Sequence, residues 1–183
     1  MNENEYKTKE YMVWFSRSDA TEPAIRNFFF TNSNTVRFTR YFSKKLNFLN
    51  FINFEMGKSS VEPGFVEKEQ RFLKQFSELK EDFVKEVRDN TKYNDIEQGV
   101  WNKNKLFVHY FFNLSDKMKQ KLNETLLVWW PHSDKQFYGL EDPTFYNNRQ
   151  MIGSVITHES AAMLNITPDE KGFLIKQGVI FDE

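Results

Sequence analysis

Between about Val66 and Arg88, the residues Phe72, Phe76, Leu79, Phe83 and Val87 recur at spacings of three and four. That spacing returns each side chain to one side of an α-helix, so the segment predicts a single amphipathic helix, about 35 Å long at 1.5 Å per residue. Glu67 with Arg71, and Glu81 with Lys85, would then be i,i+4 ion pairs on its outer side. A helix with an aromatic stripe must lie on another apolar surface. The rest of the chain offers that surface as strands.

EYMVWFS (10–16) reads as a short strand. TVRFTRYF (35–42) alternates, with Val36, Phe38 and Phe42 on one side and Arg37, Thr39 and Tyr41 on the other. KLFVHYFF (105–112) is apolar at both parities, as a strand inside a sheet would be. TEPAIRNFFF predicts a short helix with Thr21 as its N-cap and Pro23 in its first turn. Ser115 caps a second, whose Met118, Leu122, Leu126 and Trp129 form a stripe that Pro131 stops. TFY and QMIGSVITH form a hairpin turning at Asn147 and Asn148, and AAMLNI returns after a turn at Glu159 and Ser160. Thr167-Pro168-Asp169-Glu170 is a capping box with proline at N1, and Gly178 stands where a C-terminal cap belongs. The triplets of KLNFLNFINF (45–54) match neither helix nor strand period and are assigned to a further strand. TKYNDIEQGVWNKN (91–104) is turn-rich and suits an internal hinge. The expectation is one α+β domain over residues 1–183: a mostly antiparallel sheet with one long helix and two shorter helices packed on it.

A chain of 183 residues buries enough surface to be stable without staples. With no cysteine it has no disulfide framework, no zinc-thiolate site and no thiol nucleophile. The opening residues lack the basic-then-apolar order of a signal peptide, and no apolar run approaches membrane-spanning length, so a cytoplasmic protein with no membrane contact is expected. The wealth of Phe, Asn, Lys and Ile matches the bias of an AT-rich bacterial or phage genome.

No motif prescribes a reaction. His158-Glu159 begins like a zinc-protease HExxH, but Ala162 occupies the second ligand position. His109, between Phe107 and Phe111, reads as a satisfied core histidine, and His132 as an exposed loop residue. There is no GxSxG elbow, and the seven glycines are scattered, without GxGxxG or a P-loop. Glu141 and Asp142 are adjacent, so in extended backbone they point to opposite sides and cannot share a proton. Neither a metal nor another cofactor is expected, and an enzyme would need a site assembled only in space.

Two stretches point to binding. From Arg26 to Lys58 six basic residues stand against one acid, Glu55. Within it RFTRYFSKK interleaves Arg37, Arg40, Lys44 and Lys45 with Phe38, Tyr41 and Phe42. Cations beside aromatic platforms suit single-stranded nucleic acid, although the formal net charge of −1 opposes bulk attraction. The second stretch, VWWPHSDKQFYGLEDPTFYNN (128–148), places Trp130, His132, Tyr138 and Tyr146 among Asp134, Glu141 and Asp142. Rigid aromatics in loops dominate many protein interfaces, and the acids would favour a basic partner.

Residues from about Lys105 to Gly178, and above all Phe145, Tyr146, His158 and Glu159, carry a resemblance. This part of the chain resembles small uncharacterised bacterial proteins with an FY-turn-strand-HE hairpin, some of which are similar to immunity proteins of toxin systems. The resemblance implies a non-enzymatic protein that neutralises another protein, such as a toxin with a basic surface, by stoichiometric binding. The alternatives are a nucleic-acid-associated protein using segment 26–58, and an enzyme.

Overall fold

A computed structural model of the chain describes residues 7–42, 65–89, 106–124 and 140–182. The elements are β1 (Lys9–Trp14), α1 (Thr21–Asn32), β2 (Thr35–Phe42), α2 (Phe65–Glu78), β3 (Phe83–Asp89), β4 (Leu106–Asn113), α3 (Asp116–Glu124), β5 (Glu141–Asn147), β6 (Gln150–Ile156), β7 (Ala161–Ile166) and α4 (Pro168–Lys176). The described strands form one seven-stranded sheet in the order β1-β7-β6-β5-β2-β4-β3, with every neighbouring pair antiparallel. The α+β expectation holds. No helix among the described residues is long and apolar enough to cross a membrane.

The long helix does not hold. α2 ends at Glu78, and Phe83 to Asp89 form a strand instead. Two physical causes are visible. Acids gather where the helix would continue, Glu78, Glu81 and Asp82, and the last turn carries no basic residue to offset the negative end of the helix dipole. Beyond them, Val84 and Val87 favour extended backbone, and pairing with β4 supplies the hydrogen-bond ladder. The turn closes through Leu79 N–H to Phe76 O and Asp82 N–H to Leu79 O, at 3.1 and 3.0 Å. Glu81 therefore meets Lys117 of α3 at 2.9 Å rather than Lys85, and Glu78 meets Lys121 at 3.1 Å. The 3.6-residue pattern is real as far as Leu79; its extension to Phe83 and Val87 is coincidence of spacing.

The helices all deliver their buried side chains to one core, against one face of the sheet. Phe29 of α1 stacks on Phe145 with ring centroids 4.4 Å apart, Phe72 and Phe76 of α2 pack on Tyr110, and Phe76 also packs on Phe112. Gly153 of β6 lies beneath Phe29, where a Cβ would strike both that ring and the Met163 carbonyl. Met118 and Leu122 of α3 are fully buried, and Ser115 Oγ accepts the Met118 N–H as the cap requires. α1 begins one residue earlier in register than expected: Ala20 is the N-cap and Thr21 lies inside the helix. At α4 the expected capping box is present in both directions between Thr167 and Glu170, and Gly178 has the positive φ of a C-terminal cap.

The C-terminus returns to the first strand. Val13 bridges Phe181, Trp14 Nε1 donates to the Asp182 carboxylate, and the Phe181 ring meets Tyr11 edge-on. KLNFLNFINF, the 91–104 hinge, and the predicted helical stripe at Leu126 and Trp129 lie outside the described residues.

Candidate functional site

β2 lies between β5 and β4, so its register decides what meets across three strands. Arg37 stands opposite Phe111 on one side and Thr144 on the other; Thr35 stands opposite Asn113 and Tyr146. Opposite residues in an antiparallel pair share a face. Lys85 of β3 is opposite Phe111 and extends the row to a fourth strand. This is the face away from Phe38, Tyr110, Phe112 and Phe145.

A bulge in β5 sets that row. Between the Arg37–Thr144 and Thr39–Glu141 pairs, β2 supplies only Phe38 while β5 supplies Asp142 and Pro143. Proline has no N–H to give a ladder, and a bulge is where an internal strand tolerates it. Asp142, at a φ of 49°, is held there: its carboxylate accepts the Thr157 N–H at 3.0 Å, and its own N–H donates to Thr157 Oγ1. Downstream of the bulge Arg37 Nη2 donates to Thr144 Oγ1 at 2.8 Å, and its guanidinium lies over the edge of the Tyr146 ring at 5.9 Å.

The row opens into a groove of about 630 Å³ lined by Thr35, Val84, Lys85, Phe111 and Tyr146, with a rim of Asn34, Asn113, Asn148 and Arg149. The Phe111 and Tyr146 rings are 6.2 Å apart and inclined at 41°, and the Lys85 ammonium sits 4.8 Å from the Phe111 centroid. Asn34 ties the rim together: its Nδ2 donates to Asn148 Oδ1 at 2.8 Å, and its Oδ1 accepts the Asn148 N–H. The two-residue turn of the β5–β6 hairpin requires positive φ at both central positions, and these are Asn148 (51°) and Arg149 (97°). Asparagine tolerates that region; arginine at 97° is strained where glycine would not be. The hairpin thereby holds an exposed cation on the groove's rim.

Chemically, the described lining presents two aromatic rings, two cations and three side-chain amides, without a carboxylate or histidine. His109 lies further down β4 on this face, half-buried, with Nδ1 3.1 Å from Thr39 Oγ1. Among the described residues no group of His, Cys, Asp or Glu is arranged to hold a metal ion.

The sequence-predicted site residues are redistributed. Arg37 and Tyr146, which belonged to different stretches, come together on one face, though only Tyr146 lines the groove. Arg40 does not join them: an odd separation from Arg37 sends it to the helix-bearing face, where it is 8% exposed with its guanidinium 4.2 Å from the Phe72 centroid. Arg40 is thus corrected from a nucleic-acid contact to a buried cation packed among aromatics. The Asp142 carboxylate is engaged with Thr157 backbone rather than presented to a basic partner. Glu141 and Tyr41 are placed in strands as backbone only, Glu159 is exposed beyond β6, and the His158 side chain is not described. Trp130, His132, Asp134, Tyr138, Lys44 and Lys45 lie outside the described residues.

Sequence reading gives Lys85 only as an ion-pair partner of Glu81 and assigns neither Phe111 nor Arg149 to a site. Phe111 could have been assigned, as the residue alternating with Phe112 in KLFVHYFF. Lys85 was hidden by the helical reading of its segment. No model of a known protein family, no curated protein and no solved structure matches this chain.

Proposed function

We propose that the protein binds single-stranded nucleic acid in the groove between β3, β4, β2 and β5, a base lying on Phe111 and Tyr146 while phosphates meet Lys85 and Arg149. The observation that carries this reading is the coincidence of two partly exposed rings with flanking cations, and no acid among the described lining residues. Base stacking on protein aromatics is sequence-tolerant, since every base has a π-face, and cations along the strand supply the sequence-independent attraction. The amides of Asn34, Asn113 and Asn148 can donate to or accept from base edges. The nucleic-acid reading thus keeps Arg37, gives up Arg40 and gains a site outside segment 26–58. The protein-partner reading of segment 130–146 gains from the described residues only Tyr146, which here lines the groove.

Anisotropy titration of a fluorescent single-stranded oligonucleotide tests it. Contact with about two phosphates, through Lys85 and Arg149, gives a logarithmic salt slope of about −1.4. Tyr146→Ala and Arg149→Ala should each weaken binding, and a duplex of the same sequence should bind less well. Binding that is absent at low salt, or that both variants leave intact, would rule the groove out.

A further inference from the structure

Asn34 is pinned from two strands. Its N–H donates to the Tyr146 carbonyl, and its own carbonyl accepts the Leu114 N–H, each at 2.9 Å. The side-chain amide then has one orientation. The Asn148 backbone N–H can only donate, so the Asn34 atom it meets at 3.2 Å is Oδ1, which also accepts from Thr35 Oγ1. Nδ2 is therefore the end that meets the Asn148 side chain, and it donates to Oδ1 there at 2.8 Å. With its oxygen so engaged, Asn148 keeps Nδ2 as the other end of its amide, a group that only donates. One backbone N–H thus sets the polarity of two side chains in turn.

Asn148 lines the groove together with Lys85 and Arg149, whose polar ends also only donate. Thr35 gives its proton to Asn34, and Asn113 can offer either end of its amide. The described lining is rich in donors. We infer that the groove prefers the keto bases uracil, thymine and guanine over the amino bases cytosine and adenine, and that Asn148 Nδ2, positioned by Asn34, reads the difference. Uracil O4 and guanine O6 accept a hydrogen bond where cytosine N4 and adenine N6 present N–H. A donor set against a donor leaves both without a partner. Stacking and phosphate contact do not distinguish the two classes. The inference rests on the groove reading above and adds a base preference to it.

Anisotropy titration of oligo(dU) and oligo(dC) of equal length, near neutral pH, tests it. The two carry the same backbone charge and nearly the same ring, and differ along the edge that bears O4 or N4. The parent should bind oligo(dU) about fivefold more tightly, the net effect of one hydrogen bond. Asn34→Asp is the decisive change. Its carboxylate still accepts the Asn148 N–H, but the second oxygen now calls for a donor, so the Asn148 amide turns over and presents Oδ1. Oligo(dC) should then bind the more tightly, although Asn148 itself is unchanged. Asn148→Asp keeps the bond from Asn34 and exchanges only the nitrogen for an oxygen, so the ratio should shift the same way. Either new carboxylate weakens both oligonucleotides alike, which makes the ratio the readout. The parent comparison needs no variant to fold. If neither oligonucleotide binds, the groove reading fails and this inference with it. If both bind, and Tyr146→Ala weakens both, but the parent does not distinguish them, the groove stands and the base preference is wrong. A preference for oligo(dU) that both aspartate variants leave intact overturns the role of Asn148.

Discussion

The two faces of the sheet are built from the same strands and differ by one residue of register. On the helix-bearing face stand Phe38, Arg40, Tyr110, Phe112 and Phe145; on the other stand Arg37, Thr39, Phe111, Thr144 and Tyr146. Both faces combine rings with an arginine, to opposite ends. The first encloses its cation, laying Arg40 on Phe72. The second stands its cations at the borders of partly exposed rings, where they can still meet an anion. What separates a packing arginine from a binding one is therefore parity along β2, and composition alone cannot reveal it.

The largest expected contrast is between adjacent phenylalanines. Phe112→Ala removes a fully buried ring touching Phe38, Phe76 and Phe83, and should cost about 3–5 kcal/mol in urea denaturation. Phe111→Ala, from a half-buried position, should cost well under that and mainly lower oligonucleotide affinity. Equal costs would mean that the second face is also core.

Next comes alkali. Burial, assisted by the Glu86 carboxylate, pushes the Tyr110 phenol up to about 12, with Arg40 pulling the other way through charge and a hydrogen bond. Below pH 10 the phenol is protonated in both folded and unfolded chains and contributes fully. Between about 10 and 12 only the unfolded chain releases the proton, so stability should fall, by at most about 2–3 kcal/mol. Melting temperature followed against pH should show this fall in the parent, and Tyr110→Phe should flatten it.

The smallest contrast sharpens the comparison most. Arg40→Ala loses a buried stem and its ring contact and should cost about 1–2 kcal/mol of stability without altering oligonucleotide binding. Arg37→Ala gives up one partly buried hydrogen bond, worth about 1 kcal/mol or less, but should weaken binding. If the two arginines behave alike in both measurements, the faces are not distinct.

Sequence was most informative where local chemistry decides structure. The α4 capping box, the Ser115 cap, the alternation of TVRFTRYF and the Asn-rich hairpin turn all depend on residues within a few positions of one another. It misled where a distant partner decides. Residues 83–89 carry a helical echo of the preceding stripe, and only pairing with β4 makes them a strand. Arg40 was grouped with Arg37 because composition averages over parity. The groove was least legible of all, since Lys85, Phe111, Tyr146 and Arg149 come from three separate stretches of chain and meet only through the order β3-β4-β2-β5.

The pairing of β1 also has a consequence for how the chain is made. Among the described strands, residues 9–14 find their partner only in residues 161–166, and their flank is fastened by Phe181 and Asp182. Closing so long a loop costs entropy that no local contact offsets in advance. β1 can thus be seated only once residues 161–166 have been made. Until then the Tyr11-Met12-Val13-Trp14 run lacks the β7 partner it has in the fold, and exposed apolar segments of that kind favour aggregation.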